Sequence, residues 1–383
     1  MMSSAKKLIV LASGGTGGHV FPAQALAEEL QRRGYSLALI TDSRGDAYSG
    51  PLGQIDTHTI SAAAMSGRGK FGVFTAVFKL ALGFWQANKL LKQLKPDAVV
   101  GFGGYPSVPT MLAATRLPLK TVIHEQNAVL GRANRLLASR VKAIATSFPI
   151  TAGIKDDDEE KVTWTGNPVR PEIAALSGQG YQEISDQQKI HILIVGGSQG
   201  AAIFGEILPR ALASLPEPLK ARIFVTQQVR EEQMDDVKKL YAASGVEYDL
   251  RVFLSDMPAQ IKKSHLVICR AGASTMAEIT TAGRPSILVP YQYAVDDHQS
   301  ANAARLCDAA GAWMIPQVDF SVEALSNRLC ELFENPHLMS VAAASAAKQG
   351  KPEATQLLAD VVCDLIEGKV PSKLRSNLKE TAA

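Results

Sequence analysis

The sequence predicts an α/β protein with two doubly wound, Rossmann-like domains, each built on a parallel sheet. Short runs rich in Leu, Ile and Val alternate with helical patterns along the 383 residues, as is typical of parallel sheets with helices on both faces. Two glycine-rich turns, residues 13–19 and 196–200, each directly follow such a run and lie about half a chain apart. The length also suits two domains. We expect the two domains to face a shared cleft.

The strands are predicted from short apolar runs, many of them β-branched, that are bounded by turn residues. In the first half of the chain these runs are residues 8–12, 36–41, 98–101, 121–124 and 143–146. In the second half they are residues 190–195, 222–226, 248–253, 266–269 and 286–289. Helical patterns at residues 22–33 and 201–215 follow the two glycine turns. Because ligands of such sheets bind at the carboxyl ends of the strands, the polar residues after each strand are candidates for a site.

The domain boundary is predicted at the turn-rich segment 165–171, which contains two prolines and a glycine. This gives an N-terminal domain at residues 6–167 and a C-terminal domain at residues 168–349. A strong helical pattern at residues 353–366 is expected to join the N-terminal domain. Residues 369–383 are polar and are expected to form a tail.

The composition is that of a soluble globular protein, with 46% hydrophobic and 20% charged residues. The net charge of +3 does not argue for a nucleic-acid partner. None of the four cysteines forms a C-x-x-C pair, so we interpret them as reduced thiols in a cytoplasmic protein. The first residues lack the long apolar run of a signal peptide.

The first glycine turn fits known nucleotide motifs poorly. Gly15 and Gly17 supply G-x-G, but Val20 stands where the dinucleotide fingerprint has its third glycine, and no P-loop motif occurs. Asp42 resembles the ribose-binding acid of NAD enzymes, which keeps an oxidoreductase as a minority alternative. His19 follows the glycines at the start of a helix, where an imidazolium is disfavoured. The ring is either a neutral base or only a cap of the turn, and Glu125 is the second candidate base.

Further glycine turns and polar groups follow other strands. Residues 101–107 form a second turn rich in glycine after a strand of the first half, and residues 124–127 place four polar side chains after the next strand. In the second half, Gly272 allows a turn, Ser274 or Thr275 can cap the next helix, and Glu278 lies one turn later. Such helix starts suit a pyrophosphate, although Thr275 and Glu278 also satisfy an ordinary capping box.

Six motifs occur in the order and spacing of one enzyme family: residues 14–19, 124–127, 166–170, 196–200, 270–278 and 292–302. On these motifs the chain resembles the bacterial N-acetylglucosaminyltransferases that form lipid II for peptidoglycan. The resemblance covers nearly all of residues 7–366. It implies a GT-B fold and the inverting transfer of N-acetylglucosamine from UDP-N-acetylglucosamine to the C4 hydroxyl of undecaprenyl-diphosphate-N-acetylmuramoyl-pentapeptide.

The resemblance also implies roles for individual residues. Glu278 would hold the ribose, Leu254 would lie against the uracil, and His19 would be the catalytic base. The full set of implied donor contacts is Thr16, Gly17, Gly18, Asn127, Arg170, Ser198, Leu254, Ala273, Ser274, Thr275, Met276, Ala277, Glu278 and Gln292. The implied contacts to the acceptor diphosphate are Gly14, Gly15, Gly103, Gly104 and Tyr105. Residues 226–228 and 296–299 depart from the family pattern, so Gln299 is a weaker candidate than Gln292.

No cofactor and no metal ion are expected. Family members invert the anomeric centre without a bound metal, and the sequence has neither a D-x-D motif between strands nor a cluster of His, Asp and Glu with ligand spacing. The charge of the leaving UDP would then be met by amides at helix ends.

The polyprenyl acceptor implies contact with a membrane. At helical spacing, one apolar stripe is formed by Phe71, Phe74, Phe78, Leu82 and Trp85, next to Lys70 and Lys79. A second stripe is formed by Val73, Val77, Leu80, Phe84 and Leu91. One stripe is enough to face a core, so we expect a peripheral site for anionic lipid at the cytoplasmic face of the inner membrane. Packing in the core is the competing interpretation for about half of these residues.

Two alternative functions stay open on the sequence. One is another nucleotide-sugar enzyme of the same fold, either an epimerase or a glycosyltransferase with a soluble acceptor. The other, less favoured, is an NAD oxidoreductase.

Overall fold

A computed structural model describes residues 6–14, 17–42, 50–62, 70–185, 188–197 and 200–369, without the side chains of residues 50, 51, 70–74 and 76. The chain folds into two compact units. Unit 1 comprises Met1–Val169 and Glu353–Ala383, and unit 2 comprises Arg170–Pro352. Apart from Lys369, the predicted tail lies outside the described residues.

Unit 1 contains a parallel sheet with the strand order β3-β2-β1-β4-β5-β6-β7. The strands are β1 (Leu8–Ala12), β2 (Ser36–Thr41), β3 (Asp56–Thr59), β4 (Ala98–Gly101), β5 (Lys120–Glu125), β6 (Ala143–Thr146) and β7 (Val162–Trp164). The helices of this part of the chain are α1 (Gly17–Arg32), α2 (Lys70–Leu94), α3 (Gly104–Ala114) and α4 (Arg132–Leu137).

Unit 2 contains a second parallel sheet with the order β10-β9-β8-β11-β12-β13. The strands are β8 (Ile190–Val195), β9 (Ile223–Gln228), β10 (Glu247–Arg251), β11 (Leu266–Cys269), β12 (Ser286–Leu288) and β13 (Ala312–Met314). The helices are α5 (Pro171–Ala174), α6 (Ala202–Ala213), α7 (Glu217–Lys220), α8 (Met234–Ala242), α9 (Met257–Lys263), α10 (Ala273–Thr281), α11 (His298–Asp308), α12 (Val322–Glu334) and α13 (Pro336–Gln349). The last helix, α14 (Ala354–Ile366), belongs to unit 1.

Alternation along the strands sends side chains to both faces of each sheet. In β1, Ile9 and Leu11 pack on one face with α1 and α14, whereas Val10 and Ala12 pack on the other face with α2, α3 and α4. All four side chains are fully buried, which is why the run is continuously apolar. Arg33 holds α14 against α1, because its guanidinium donates to the Asp360 carboxylate at 2.6 Å.

The strand order explains where a ligand would bind. In each sheet the order reverses beside the first strand, between β1 and β4 in unit 1 and between β8 and β11 in unit 2. Such switch points leave a crevice at the carboxyl ends of the two strands. Ala12 pairs with Gly101, and Val195 pairs with Cys269, so in each unit the segments that follow these pairs start side by side.

The prediction of two doubly wound parallel sheets is confirmed, and each of the ten predicted strands has a counterpart. Three strands were not predicted: β3, β7 and β13. They are three or four residues long, and all three form sheet edges, where partial exposure removes the apolar signal. The predicted strand at 248–253 is wrong at its end, because β10 stops at Arg251. Helix α1 begins at Gly17, not residue 22, and includes Pro22.

Candidate active site

The first glycine turn of unit 1 connects β1 to α1 and places His19 in the first helical turn. Ser13 is fully buried, and its hydroxyl donates to the carbonyl of His19 at 3.0 Å. Gly14 allows a close approach, since a Cβ atom there would lie 2.8 Å from Cβ of Pro106. Gly15 and Thr16 lie outside the described residues. The turn therefore packs on the start of α3, across the switch point.

Another glycine-rich turn of unit 1, at residues 101–107, supplies the start of α3. Gly103 and Gly104 have φ of 79° and 68°, in the region that favours glycine, and no side chain caps this helix. The His19 ring lies against this backbone, because a Cβ atom on Gly104 would lie 3.2 Å from Cδ2 and 3.4 Å from Nε2 of the ring. The structure thus brings together four predicted site residues: His19, Gly14, Gly103 and Gly104. Tyr105 follows them and approaches Asp42, with its hydroxyl 3.5 Å from Oδ2.

A buried chain of polar side chains extends from His19. Its Nδ1 lies 3.1 Å from Oε1 of Gln126, whose Nε2 lies 3.0 Å from the carbonyl of Phe102 and 3.0 Å from Nδ1 of His124. Nε2 of His124 lies 3.2 Å from the carbonyl of Gly166. Gln126 and His124 are buried, and burial lowers the pKa of His124 to about 4. The polar residues after β5 satisfy one another, as buried polar groups must.

Glu125, the second candidate base, is held in a structural role. One carboxylate oxygen accepts from the backbone and side-chain amides of Asn127, at 3.0 and 3.3 Å. The other accepts from the backbone of Gly131 at 2.9 Å and from Nδ2 of Asn134 at 2.8 Å. With both oxygens bound by N–H donors, the carboxylate orders the loop after β5. This geometry disfavours Glu125 as a base.

In unit 2, helix α10 offers an uncapped N-terminus after β11. Gly272 is the N-cap residue, and no side chain caps the helix, so the prediction that Ser274 or Thr275 caps it is wrong. The first intrahelical bond runs from the amide of Met276 to the carbonyl of Gly272, which leaves the amides of Ala273, Ser274 and Thr275 without an intrahelical acceptor. The Ser274 hydroxyl oxygen is buried without a partner. The helix start therefore suits an anion.

Arg170 and Glu278, two of the predicted donor contacts, form an ion pair within unit 2. Nε and Nη2 of Arg170 donate to the same carboxylate oxygen at 3.0 and 2.6 Å. Burial raises the pKa of Glu278, and Arg170 opposes this rise. Because 108 residues separate the partners, neither motif alone predicts the pair.

The other predicted donor contacts differ in accessibility. The side chains of Leu254, Ala273 and Met276 are buried, whereas Gln292 is exposed and Ala277 is half-buried. Ser198 lies outside the described residues. The site residues Gly17, Gly18 and Asn127 belong to unit 1.

Arg270 and Asn167 were not singled out from the sequence, and Gln299 was only a weaker candidate than Gln292. Arg270 is buried and donates to the carbonyls of Val289 and Pro290, at 3.0 and 3.2 Å, which joins the loops after β11 and β12. Gln299 accepts from the backbone of Tyr291 at 2.9 Å. Asn167 is buried, and neither polar atom of its side chain has a partner. Unpartnered buried amides are rare, and the place of Asn167 within the motif at residues 166–170 is the sequence feature that indicates it.

The two apolar stripes predicted on helix α2 differ in their exposure. Phe84 and Leu91 of the second stripe pack in the core of unit 1 together with Ala87, whereas Val77 of the same stripe is exposed. On the first stripe, Phe78 and Trp85 are 64% and 61% exposed, and Leu82 is also exposed. The side chains of Lys70, Phe71 and Phe74 are outside the described set. Lys79 and Lys89 are exposed along the same helix, and the Lys89 ammonium lies 5.8 Å from the Trp85 ring centre.

Among the described helices, none combines the length and the hydropathy that a bilayer crossing requires. Within the described residues, no group of three or more His, Cys, Asp and Glu side chains has the arrangement of a metal site.

Comparison with known families covers both units. The glycosyltransferase family 28 N-terminal domain matches residues 9–146, and the glycosyltransferase family 28 C-terminal domain matches residues 191–358.

Full-length relatives agree with this match. The chain is 50% identical over 365 residues to the UDP-N-acetylglucosamine–N-acetylmuramyl-(pentapeptide) pyrophosphoryl-undecaprenol N-acetylglucosamine transferase of Paramagnetospirillum magneticum, covering 95% of this chain and 98% of the relative. It is 45% identical over 370 residues to the protein of the same name from Rhizobium etli, covering 97% and 98%.

Solved structures show the same architecture. MurG of Acinetobacter baumannii superposes with a TM-score of 0.76 and 32% identity, covering 94% of this chain and 99% of that one. A UDP-N-acetylglucosamine 2-epimerase described as putative, from Listeria monocytogenes, has a TM-score of 0.67 at 12% identity, covering 96% and 98%, and shares the fold alone. The chain therefore belongs to glycosyltransferase family 28, within the group of UDP-N-acetylglucosamine–N-acetylmuramyl-(pentapeptide) pyrophosphoryl-undecaprenol N-acetylglucosamine transferases.

Proposed function

We propose that the protein transfers N-acetylglucosamine, with inversion, from UDP-N-acetylglucosamine to the C4 hydroxyl of undecaprenyl-diphosphate-N-acetylmuramoyl-pentapeptide. The observation that carries this proposal is the 50% identity, over 95% of the chain, to a relative named for this reaction. The switch points of both sheets support it, because each carries groups suited to one part of the reaction.

The donor is assigned mainly to unit 2. The diphosphate of UDP would accept from the amides of Ala273, Ser274 and Thr275 at the start of α10 and from the unpartnered Ser274 hydroxyl. Glu278 lies on the same helix and would accept from the ribose hydroxyls while it stays paired with Arg170. The remaining predicted donor contacts, including Thr16, Ser198, Leu254 and Gln292, stay part of this proposal.

Glu278→Ala is expected to weaken donor binding more than it lowers saturated turnover. A hydrogen bond to a charged group is worth about 1.5–3 kcal/mol, which corresponds to a rise in donor KM of roughly 10- to 100-fold. Steady-state kinetics with varied UDP-N-acetylglucosamine measure the effect, and Glu172→Ala, an exposed carboxylate on α5, is the matched control. An unchanged donor KM with a collapsed kcat would contradict the ribose assignment.

The acceptor is assigned to unit 1. Its diphosphate would bind at the two glycine turns, where Gly14, Gly103 and Gly104 expose backbone and Tyr105 follows. His19 lies against this backbone and would take the proton of the C4 hydroxyl. The hydroxyl oxygen then forms the bond to C1 of N-acetylglucosamine, while the bond from C1 to the UDP oxygen breaks and UDP leaves with the electron pair.

The reaction is proposed to need no cofactor and no metal ion. The developing charge on UDP would be met by the first-turn amides of α10 and by nearby cationic side chains such as Arg170. In this arrangement the sugar nucleotide is a substrate, and the protein supplies all the other groups.

Transfer of labelled N-acetylglucosamine to a short-chain analogue of the lipid acceptor tests the reaction. We expect labelled product with UDP-N-acetylglucosamine, the β configuration at the new bond, and activity largely retained in EDTA. Absence of transfer would overturn the proposed reaction, and complete, metal-reversible loss in EDTA would overturn its metal-free form.

The exposed face of α2, defined by Phe78, Leu82 and Trp85, is proposed to contact the membrane that holds the acceptor. Large apolar side chains beside Lys79 and Lys89 suit the interface of an anionic leaflet. Lys70, Phe71 and Phe74 continue this stripe in the sequence. The protein would then be peripheral at the cytoplasmic face of the inner membrane.

The double substitution Phe78→Ser and Trp85→Ser is expected to lower binding to anionic phospholipid vesicles while a water-soluble acceptor is still converted. The two side chains are mostly exposed, so their loss removes little core packing. Vesicle sedimentation measures the binding, and Val318→Ser, at a residue 78% exposed in unit 2, is the control for losing an exposed apolar group. Unchanged vesicle binding would contradict the membrane assignment.

A further inference from the structure

The hydrogen bonds that link His19, Gln126 and His124 have a defined direction from donor to acceptor. We propose that Gln126 is a positioning residue that fixes the tautomer of His19, with the proton on Nδ1, so that Nε2 accepts the proton of the acceptor hydroxyl. This inference rests on the proposed function, in which His19 is the base. It assigns Gln126 a role that its place in the motif after β5 does not reveal.

The orientation of the Gln126 amide follows from two backbone carbonyls. One amide atom lies 3.0 Å from the carbonyl oxygen of Phe102 and 3.1 Å from that of His124. Carbonyl oxygens only accept hydrogen bonds, so the atom that faces them is the donor, Nε2. In the reversed orientation the buried amide oxygen would face two carbonyl oxygens, which is unfavourable. The carbonyl oxygen of the amide, Oε1, therefore faces His19.

The tautomer of His19 follows from this orientation. Nδ1 of His19 lies 3.1 Å from Oε1 of Gln126. An amide oxygen only accepts, so Nδ1 carries the proton, and in the neutral ring Nε2 carries the lone pair. Nε2 is on the ring edge that lies against Gly104, where a Cβ atom would be 3.4 Å away. The basic nitrogen therefore lies at the glycine turn assigned to the acceptor.

His124 supports the same direction from the other side of the amide. Its Nε2 lies 3.2 Å from the carbonyl of Gly166, which requires a proton on Nε2, and its Nδ1 accepts from Nε2 of Gln126 at 3.0 Å. Ser147 also approaches, with its hydroxyl 3.5 Å from Nε2 of His124. Burial keeps His124 neutral, since its pKa is about 4. A second proton on His124 would place two donors face to face and break the chain.

The other charged group on this loop does not compete for the amide. Glu125 directs its carboxylate to the amides of Asn127, Gly131 and Asn134. The groups that face Gln126 are thus two carbonyls, the lone pair of His124 and the Nδ1–H of His19. The amide nitrogen has two N–H groups for three acceptors, so one N–H is shared, and all four groups are compatible with the same amide orientation.

The tautomer can be measured directly in the wild-type protein. Selective ¹⁵N labelling of its seven histidines, with His19→Ala to assign the His19 signals, reports which ring nitrogen carries the proton. We expect the Nδ1–H form of His19 at neutral pH. The Nε2–H form would overturn the proposal, and this result does not depend on whether any Gln126 variant folds.

Gln126→Met tests the functional consequence. Loss of the acceptor at Nδ1 should shift His19 toward the Nε2–H tautomer and lower kcat by about 10- to 100-fold, part of the ~10²–10⁴-fold that general-base catalysis contributes. The donor KM should stay unchanged, because Gln126 is not among the assigned donor contacts. Gln260→Met, which removes a buried glutamine with a hydrogen bond to Asp256, is the matched control and should leave the tautomer of His19 unchanged.

The results separate this proposal from the function on which it rests. If His19→Ala keeps its kcat, the assignment of the base fails, whatever Gln126 does. If His19→Ala loses kcat but Gln126→Met keeps both the wild-type tautomer and the wild-type kcat, only the role of Gln126 is overturned.

Discussion

His19→Ala is expected to lower kcat by ~10²–10⁴-fold, the usual contribution of general acid–base catalysis. The acceptor hydroxyl is a poor nucleophile until its proton is removed, and His19 lies at the glycine turns assigned to the acceptor. UDP binding should be retained, since His19 is not among the assigned donor contacts. Steady-state kinetics with a short-chain acceptor and calorimetry with UDP measure the two effects separately.

The pH dependence of kcat distinguishes a base from a residue that only shapes the turn. In the wild-type enzyme the acidic limb should report protonation of His19, and this limb should be absent in His19→Ala. If the loss appears mainly in the acceptor KM, His19 contacts the acceptor without acting as a base. Near-normal kcat or an unchanged acidic limb would assign the base to another residue, and the four N–H contacts of Glu125 make that residue a poor replacement.

Mild acid is expected to destabilise both units through two buried histidines. Burial lowers the pKa of His124 in unit 1 and that of His265 in unit 2 to about 4, from an ordinary value of 6.5. Nδ1 of His265 accepts from the backbone amide of His191 at 3.0 Å, a bond that protonation removes. Both imidazoles are therefore neutral in the folded protein near pH 5 and protonated in the unfolded chain.

The direction and size of this effect follow from proton linkage. Between pH 6.5 and 4 the unfolded state binds more protons than the folded state. The stability that the two neutral histidines contribute is therefore complete above pH 6.5 and is lost as the pH falls toward 4. Each histidine should contribute a loss of roughly 3 kcal/mol by pH 4, at about 1.4 kcal/mol for each pH unit. This loss is a large fraction of the usual stability of a domain.

Urea unfolding at several pH values measures this loss in each unit. Trp164 lies in unit 1 and Trp313 in unit 2, so variants that retain one of these tryptophans report the units separately. His124→Gln should reduce the pH dependence in unit 1 alone, and His265→Gln should reduce it in unit 2 alone. His337→Gln, on an exposed surface of α13, is the control and should have no effect. Equal slopes in all four proteins would contradict the assignment.

Helix α10 shows how far a local pattern can be interpreted. The glycine and the hydroxyl residues after β11 correctly indicate a helix start beside a strand end. They do not decide between a helix capped by its own side chain and one with open amides, because Ser and Thr suit both. The structure decides this by placing Gly272, and not a hydroxyl residue, at the N-cap position. The same segment thereby becomes a stronger candidate for an anion site.

The sequence by itself determined the fold class, the ten strands with strong apolar runs, and the family, since each depends on residue type and spacing along the chain. The short edge strands and the pairing of polar side chains were decided by tertiary structure. Gln126 contacts His19 across 107 residues, and Glu278 contacts Arg170 across 108. Such contacts depend on strand order and on which carbonyls face a buried amide. Local patterns do not contain this information, because the energy of a buried hydrogen bond depends on the partner that the fold brings to it.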